Sequence, residues 1–192
     1  MKETIRLALI LFLVAAVSAG ILAFANELTA PIIAEIEREG SFGAIADMFQ
    51  DADDFQPLED EIMNEILANN NFVQEVTKAL KGDEVIGYGF KVKSVGYGGD
   101  IISLIGINTE GRIVGFTVLQ MSETAGLGSR IADDPAFAES FVGKSATEKL
   151  VPVASPSADN EFLALSGATV STSAVQAAVN GAVDAFVNYL SK

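Results

Sequence analysis

Residues Phe72–Gln120 read FVQEVTKALKGDEVIGYGFKVKSVGYGGDIISLIGINTEGRIVGFTVLQ, a pattern that predicts an antiparallel sheet. The segments rich in β-branched and aromatic residues are the ones expected to form strands. Short breaks that contain glycine separate these segments, whereas parallel strands need long crossover connections. The predicted strands are Phe72–Leu80, Val85–Val95, Ile101–Asn108 and Ile113–Gln120.

Helices are predicted after this sheet. A loop over Met121–Arg130 precedes a short helix near Pro135–Phe141, and a longer helix is expected from about Ser173 to Leu190. The longer helix is indicated by apolar residues at spacings of three and four, which form one stripe. These residues are Val175, Ala178, Val179, Ala182, Phe186 and Leu190. Strands followed by flanking helices predict a single α+β domain.

The N-terminus contains one long apolar run. Leu7–Ala25 is nineteen residues without a charge, which spans about 28 Å as a helix and matches one bilayer core. A cleaved signal peptide is the alternative, with Ala23–Ala25 as its cleavage site. A retained anchor is favoured because the run is long and continues into a helical pattern over Glu27–Glu39. Lys2 and Arg6 precede it, which predicts a cytoplasmic N-terminus and an extracytoplasmic remainder.

The composition excludes several classes of function. The 192 residues include 12 Lys and Arg against 26 Asp and Glu, with a net charge of −14 and no Cys, His or Trp. Thiolate metal sites, disulfides and a Ser-His-Asp triad are therefore impossible within the chain. Such acidity also argues against nucleic acid as a partner. Chemistry must come from carboxylates, hydroxyls, backbone amides or a cofactor.

The acidic stretch Asp47–Glu65 is interpreted as the solvated face of two helices broken at Pro57. It lacks the regular oxygen spacing around a glycine that a calcium loop requires. We therefore expect no metal site in this stretch.

Two segments hold the candidate functional residues. Ser166–Ser173 reads SGATVSTS before the last helix, and its hydroxyls are typical either of a helix N-cap or of a phosphate site. Met121–Gly128 reads MSETAGLG. It is interpreted either as a connecting loop or as backbone that approaches a flat ligand, with Leu127 packing on the ligand's face.

These segments resemble a known family. Ser166–Thr172 resembles the flavin-attachment motif of the FMN-binding domain in the G subunit of the Rnf ion-translocating electron-transport complex. The same domain occurs in the C subunit of the sodium-translocating NADH:quinone reductase. Glu123–Gly128 is similar to the family's E-T-P-G-L-G loop, and Gly96–Gly99 to its glycine-rich strand turn. Asn26–Ile33 and the short length resemble the Rnf protein more than its reductase relative.

The resemblance implies specific roles. FMN is expected on the Thr169 hydroxyl as a phosphoester installed by a separate flavin transferase. The attachment site is shaped by Ser166, Gly167 and Ala168, and the residues beside the isoalloxazine ring are Glu123, Thr124, Gly126, Leu127 and Gly128. Two positions depart from the family pattern. Leu163 stands where an acidic residue is usual, and Ala125 stands where proline is usual.

The expected protein is a single-pass electron-carrier subunit that shows no turnover alone. By resemblance it works with other membrane and redox subunits of a complex that couples reduced ferredoxin and NAD to sodium or proton movement. We expect a transmembrane segment over residues 1–26, a helical acidic segment over 27–70 and the FMN-binding domain over 71–192. The domain's acidity is expected to lower the flavin potential.

The sequence is also consistent with three alternatives. The chain can be the equivalent subunit of the NADH:quinone reductase, or a flavoprotein reductase for an extracellular acceptor. It can also be a cofactor-free or loosely flavin-binding anchor for assembly.

Overall fold

A computed structural model of the chain describes residues 2–191, apart from the side chains of Ala34 and residues 37–39. The chain divides into two compact units, with the boundary between Gly40 and Ser41. Each unit is described separately.

The first unit is a single helix. Helix α1 spans Lys2–Met48, and its residues up to Gly40 make up this unit. Within Lys2–Ile33 the most apolar stretch of 18 residues has a mean hydropathy of 2.8, and the segment is long and apolar enough to cross a membrane. The predicted continuation of the helix through Glu27–Glu39 is confirmed. Large apolar side chains on this helix, such as that of Phe12, are exposed and not packed in a core. Exposed apolar surface of this kind is more stable in lipid than in water.

The second unit is built on a five-stranded antiparallel sheet in the order β1-β2-β3-β4-β5. The predicted strands and hairpins of the Phe72–Gln120 region are confirmed within one residue at each end. The strands are β1 (Asp54–Pro57), β2 (Val73–Lys81), β3 (Glu84–Val95), β4 (Asp100–Asn108) and β5 (Ile113–Gln120).

The interpretation of Asp47–Glu65 as a solvated face is confirmed, because all its acidic residues are exposed. The prediction that two helices meet at a break at Pro57 is wrong, because a strand lies between the helices. Asp54–Pro57 is strand β1, which pairs with β2 from Asp54 opposite Leu80 to Pro57 opposite Thr77. Proline is tolerated here because β1 is an edge strand, where a missing backbone N–H breaks no inner ladder. Helix α2 (Asp60–Asn69) follows the strand.

The remaining elements lie after the sheet in sequence. They are α3 (Arg130–Asp133), α4 (Pro135–Glu139), the parallel strand pair β6 (Val151–Val153) and β7 (Glu161–Leu163), α5 (Thr169–Ala185) and a π-helical turn over Phe186–Leu190. The short helix predicted near Pro135 is confirmed as α4. The predicted α+β fold with an N-terminal apolar helix is therefore confirmed.

The predicted start of the last helix at Ser173 is wrong. Helix α5 begins at Thr169, and Ala168, with φ −125° and ψ 40°, is the last residue outside it. Among the described residues, no side chain caps this end. The hydroxyl-rich segment does not precede the helix, because Ser171 and Thr172 are buried inside its first turns. Most of the segment is thus part of the helix itself.

The sheet packs on both faces. Phe90 and Ile105 on one face belong to the main core, which also contains Val175 and Val179 of α5. On the other face, Leu104 belongs to a smaller cluster with Ile45 and Phe49 at the end of α1 and just after it, together with Ala79 of β2. The adjacent residues Leu104 and Ile105 point to opposite faces because side chains alternate along a strand.

An aromatic cluster links the sheet to the segments that follow it. The Phe141 ring stacks on Phe116 and on Phe162, with centroid distances of 4.6 and 4.5 Å, and contacts Phe137 edge to face. Phe141 is fully buried, whereas the neighbouring Val142 is 53% exposed.

Phe141→Ala is expected to lower the free energy of unfolding by about 3–5 kcal/mol, because it leaves a cavity between stacked rings. Val142→Ala, its matched control, is expected to change stability by less than about 1 kcal/mol. Denaturant titration of the full chain in detergent measures both values. Equal effects of the two substitutions would show that the cluster is not a stability centre.

Candidate functional site

Three segments that are distant in sequence form one cleft. They are the turn between β3 and β4, the loop after β5 and the first turn of α5. The cleft has a volume of about 530 Å³, within the usual range of roughly 300–1,000 Å³ for small-molecule sites. Its lining residues are Tyr97, Glu123, Thr124, Leu127, Gly128, Gly167, Ala168, Thr169, Val170 and Ser171.

Most sequence-predicted site residues lie in this lining, but Ser166 and Gly126 do not. Ser166 is exposed, and its carbonyl oxygen accepts a hydrogen bond from Arg130 at 3.3 Å. Gly126 has a φ of +75°, which glycine adopts without strain, and its N–H donates to the Ser129 hydroxyl at 3.0 Å. These two residues shape the segments that carry the lining.

Three lining residues lie outside the predicted set. Val170 and Ser171 directly follow Thr169, and their place on the first turn of α5 brings them to the cleft. Tyr97 comes from the glycine-rich turn, 26 residues before Glu123 in sequence. Its sequence signals are an aromatic residue between glycines and the likeness of Gly96–Gly99 to the family's strand turn, and neither indicates which loop the turn meets.

Glu123 lies in the loop after β5, and its side chain links the other two segments of the cleft. One carboxylate oxygen, Oε1, accepts a hydrogen bond from the Gly98 N–H at 2.8 Å. The other, Oε2, accepts one from the Ser171 hydroxyl. Ser171 is only 2% exposed. The side chain therefore ties the strand turn to the first turn of α5.

Two glycines allow this close approach. A Cβ atom at Gly98 would collide with the backbone carbonyl oxygen of Ser122, and one at Gly128 would collide with the Glu123 carboxylate. Any larger residue at either position would displace the Glu123 loop. The glycines are thus required by packing around Glu123, whatever the cleft binds.

The first turn of α5 is able to bind an anion. The N–H groups of Thr169, Val170 and Ser171 have no hydrogen-bond partner within residues 2–191. Such groups carry the positive end of the helix dipole. The Thr169 side chain beside these groups is exposed and lines the cleft. With no side-chain cap at this end, the structure favours the phosphate interpretation over the capping one.

The acidic residues near Leu163 do not replace the missing family carboxylate. Leu163 lies in β7, where its N–H donates to the Ser140 hydroxyl at 3.0 Å. Asp159 forms an ion pair with Arg112. Glu161 accepts hydrogen bonds from the N–H groups of its own loop, first that of Ala158, and these bonds lower its pKa. Both carboxylates therefore serve local structure.

The chain is similar to known proteins along nearly its whole length. Residues 96–184 match the profile of the FMN-binding domain, and residues 1–40 match that of the RnfG N-terminal region. The G subunit of the Na⁺-translocating ferredoxin:NAD⁺ oxidoreductase complex of Acetobacterium woodii is 35% identical, over 97% of this chain and 93% of that protein. The chain belongs to the RnfG family.

A second relative is named for a different ion. The G subunit of the proton-translocating ferredoxin:NAD⁺ oxidoreductase complex of Clostridium ljungdahlii is 28% identical to this RnfG chain, over 88% of the chain and 83% of that protein. Family membership therefore does not identify the ion.

A solved structure supports the same fold. The C subunit of the Na⁺-translocating NADH-quinone reductase of Parabacteroides distasonis superposes with a TM-score of 0.53 at 21% identity. The match covers 62% of this chain and 63% of that one, so the RnfG chain spans less than two thirds of the reductase protein. At 21% identity, this structural similarity is evidence of a shared fold and not of a shared function.

Proposed function

We propose that this RnfG chain is an electron carrier whose FMN is joined to Thr169 by a phosphoester. The observation that carries the proposal is the position of Thr169 in the cleft. Thr169 is an exposed residue at the first position of α5, beside amides that have no other partner among the described residues. An exposed hydroxyl is accessible to a flavin transferase, and the free amides favour the phosphate that the linkage brings.

The cleft residues fit a flavin by their chemistry. Free amides and the helix dipole suit the phosphate, while Leu127 and Val170 offer apolar contact to a flat ring. When bound, FMN supplies the capacity to accept and pass on one or two electrons. The protein's own part is to hold the ring, to exclude water with apolar side chains and to place charge near the ring.

The cleft offers no side chain, among the described residues, for hydrolytic chemistry at Thr169. Of the lining residues only Glu123 and Tyr97 can ionise, and both Glu123 oxygens already accept hydrogen bonds. The chain contains no histidine or cysteine. Thr169 therefore suits a residue that another enzyme modifies better than a nucleophile with its own base.

We further propose that α1 is retained as a membrane anchor, with its N-terminus in the cytoplasm and the FMN-binding domain outside. The apolar helix and the placement of Lys2 and Arg6 before it support this orientation. The expected partners are the other membrane and redox subunits of a ferredoxin:NAD oxidoreductase complex, with the transferase acting during maturation. The relatives' names support sodium or protons as the ion moved.

Intact mass and peptide mapping of the chain from its native membrane test these proposals. We expect an adduct of one FMN less one water on the peptide that contains Thr169, and residues 1–25 still present. An unmodified chain from cells that contain the transferase would contradict the covalent linkage. A chain that begins after Ala25 would instead contradict the anchor and support a signal peptide.

A further inference from the structure

Tyr97 is exposed in a well-fixed position. It lies in the turn between β3 and β4, where the Gly96 N–H donates to the Gly99 carbonyl at 2.7 Å and the Gly98 N–H donates to Glu123. These bonds hold the backbone on both sides of the tyrosine. Its side chain is nevertheless 78% exposed, although it lines the cleft. The fold thus places a large aromatic ring at the cleft without burying it.

Two other large apolar side chains of the cleft are also exposed. Leu127 and Val170 are 52% and 53% exposed, and both line the cleft with Tyr97. Leu127 lies on the side of the attachment segment, since its Cδ2 is 3.7 Å from the position of a Cβ at Gly167. Tyr97 belongs to the turn that packs against Ser122 and Glu123. The β3–β4 turn therefore supplies an aromatic side chain to the cleft, and the loop after β5 supplies an aliphatic one.

We propose that Tyr97 stacks on the isoalloxazine ring of the flavin, an inference that rests on the proposed function. Flat aromatic groups prefer offset stacking on one another, and a tyrosine ring presents a flat face with a polar end that stays wet. A flavin held only through its phosphate retains rotational freedom about that link. Stacking on a residue fixed by the β3–β4 turn limits this freedom and shields one face of the ring from water.

The chain provides a clear spectroscopic test of this contact. It has three tyrosines and no tryptophan. Tyr88 packs in the core against Phe90 and Phe186, and the Tyr189 hydroxyl accepts a hydrogen bond from Asn69 in a separate cleft. A stacked phenol quenches flavin fluorescence because it passes one electron to the excited ring, which then returns it. Of the three tyrosines, only Tyr97 lines the candidate flavin cleft.

The experiment uses the full chain, co-produced with a flavin transferase, with the adduct on Thr169 verified by mass. Tyr97→Ala is expected to raise flavin fluorescence several-fold and to make it more accessible to quenching by iodide. Tyr97→Phe keeps a stacking ring but is a poor electron donor. It is therefore expected to raise fluorescence while iodide accessibility stays as in the unsubstituted chain. Tyr189→Ala, the matched control, is expected to change neither property.

Each other outcome overturns a defined part of the proposal. Flavinylated Tyr97→Ala with unchanged fluorescence and unchanged iodide access overturns the stacking contact while leaving the Thr169 linkage intact. If electron transfer in the complex also falls in that variant, Tyr97 is a docking residue for a partner protein. Absence of the adduct from the unsubstituted chain overturns the proposed function and this contact with it. Tyr97→Phe keeps the test valid if Tyr97→Ala does not fold.

Discussion

Thr169→Ala is expected to remove covalent flavin from the chain to below a few per cent, with little change in stability. The phosphoester requires a hydroxyl oxygen, and alanine has none. The Thr169 side chain is exposed, and its hydroxyl makes no hydrogen bond within residues 2–191. Because alanine is also a good helix former, α5 is expected to remain intact. In-gel flavin fluorescence and intact mass, on protein made with the transferase, measure the effect.

Ser173→Ala is the matched control for this substitution. Ser173 is another exposed hydroxyl residue in the first turns of α5, but it does not line the cleft. We expect it to carry flavin at the level of the unsubstituted chain. Equal loss in both variants would indicate that α5 as a whole was disturbed. Full flavin content in Thr169→Ala would place the attachment elsewhere.

The same variant separates the carrier from an assembly module. In the complete complex, Thr169→Ala is expected to assemble normally and to lose ferredoxin:NAD oxidoreductase activity. A cofactor-free anchor would show assembly and activity unchanged. The protein composition of the purified complex and its turnover with reduced ferredoxin distinguish the two cases.

The sheet is predictable because its signal is local. Each predicted strand is marked by apolar residues and bounded by glycine, so antiparallel pairing follows from the short breaks. Strand β1 has no such signal. It has four residues, contains a proline and lies in an acidic stretch, and it forms only because β2 offers an edge with which to pair. Pairing between distant segments is not visible in a local pattern.

The start of α5 shows a second limit. Hydroxyl residues favour helix caps, so the local pattern places Ser171 and Thr172 before the helix. In the fold Ser171 is instead within α5 and donates to Glu123, a residue 48 positions earlier. A tertiary partner thus replaces the local capping role, and this cannot be inferred from the spacing.

The cleft is predictable in its parts but not in its connections. Motifs identify Thr169 and Leu127, and the structure brings both into one lining. The bonds from Glu123 to Gly98 and Ser171 cross 25 and 48 residues. Hydrogen bonds at such separations depend on the finished fold, so the sequence indicates that Glu123 belongs to the site without indicating what it contacts.

These bonds give Glu123 two separable roles. As a hydrogen-bond acceptor it holds together the turn with Gly98 and the start of α5, and as a charge it acts on whatever occupies the cleft. Glutamine can keep both contacts, since its Oε1 accepts from the Gly98 N–H and its Nε2 donates to the Ser171 oxygen, which reverses the direction of the second bond. Alanine removes both. Comparison of Glu123→Gln with Glu123→Ala therefore isolates the charge.

Glu123→Ala is expected to lower the free energy of unfolding by about 2–3 kcal/mol, because it leaves the buried Ser171 hydroxyl without its acceptor and frees the Gly98 turn. Glu123→Gln is expected to stay within about 1 kcal/mol of the unsubstituted chain. Denaturant titration of the full chain in detergent measures both. Glu148→Ala, at an exposed glutamate with no partner within residues 2–191, is the control and is expected to change little.

The flavin potential is expected to respond to charge rather than to the hydrogen bonds. At an effective dielectric constant near 20, two unit charges about 4 Å apart interact by about 4 kcal/mol, and this energy falls in proportion to their separation. Removing the negative charge with Glu123→Gln should therefore raise the midpoint potential by tens of millivolts, since reduction adds negative charge to the ring. Redox titration monitored by absorbance measures this shift, with Glu148→Gln as the control.

If Glu123→Gln leaves the potential unchanged while Glu123→Ala destabilises the fold, Glu123 acts only by holding the cleft together. If the two variants are equally destabilised, glutamine does not preserve the bonds and the separation of charge from geometry fails.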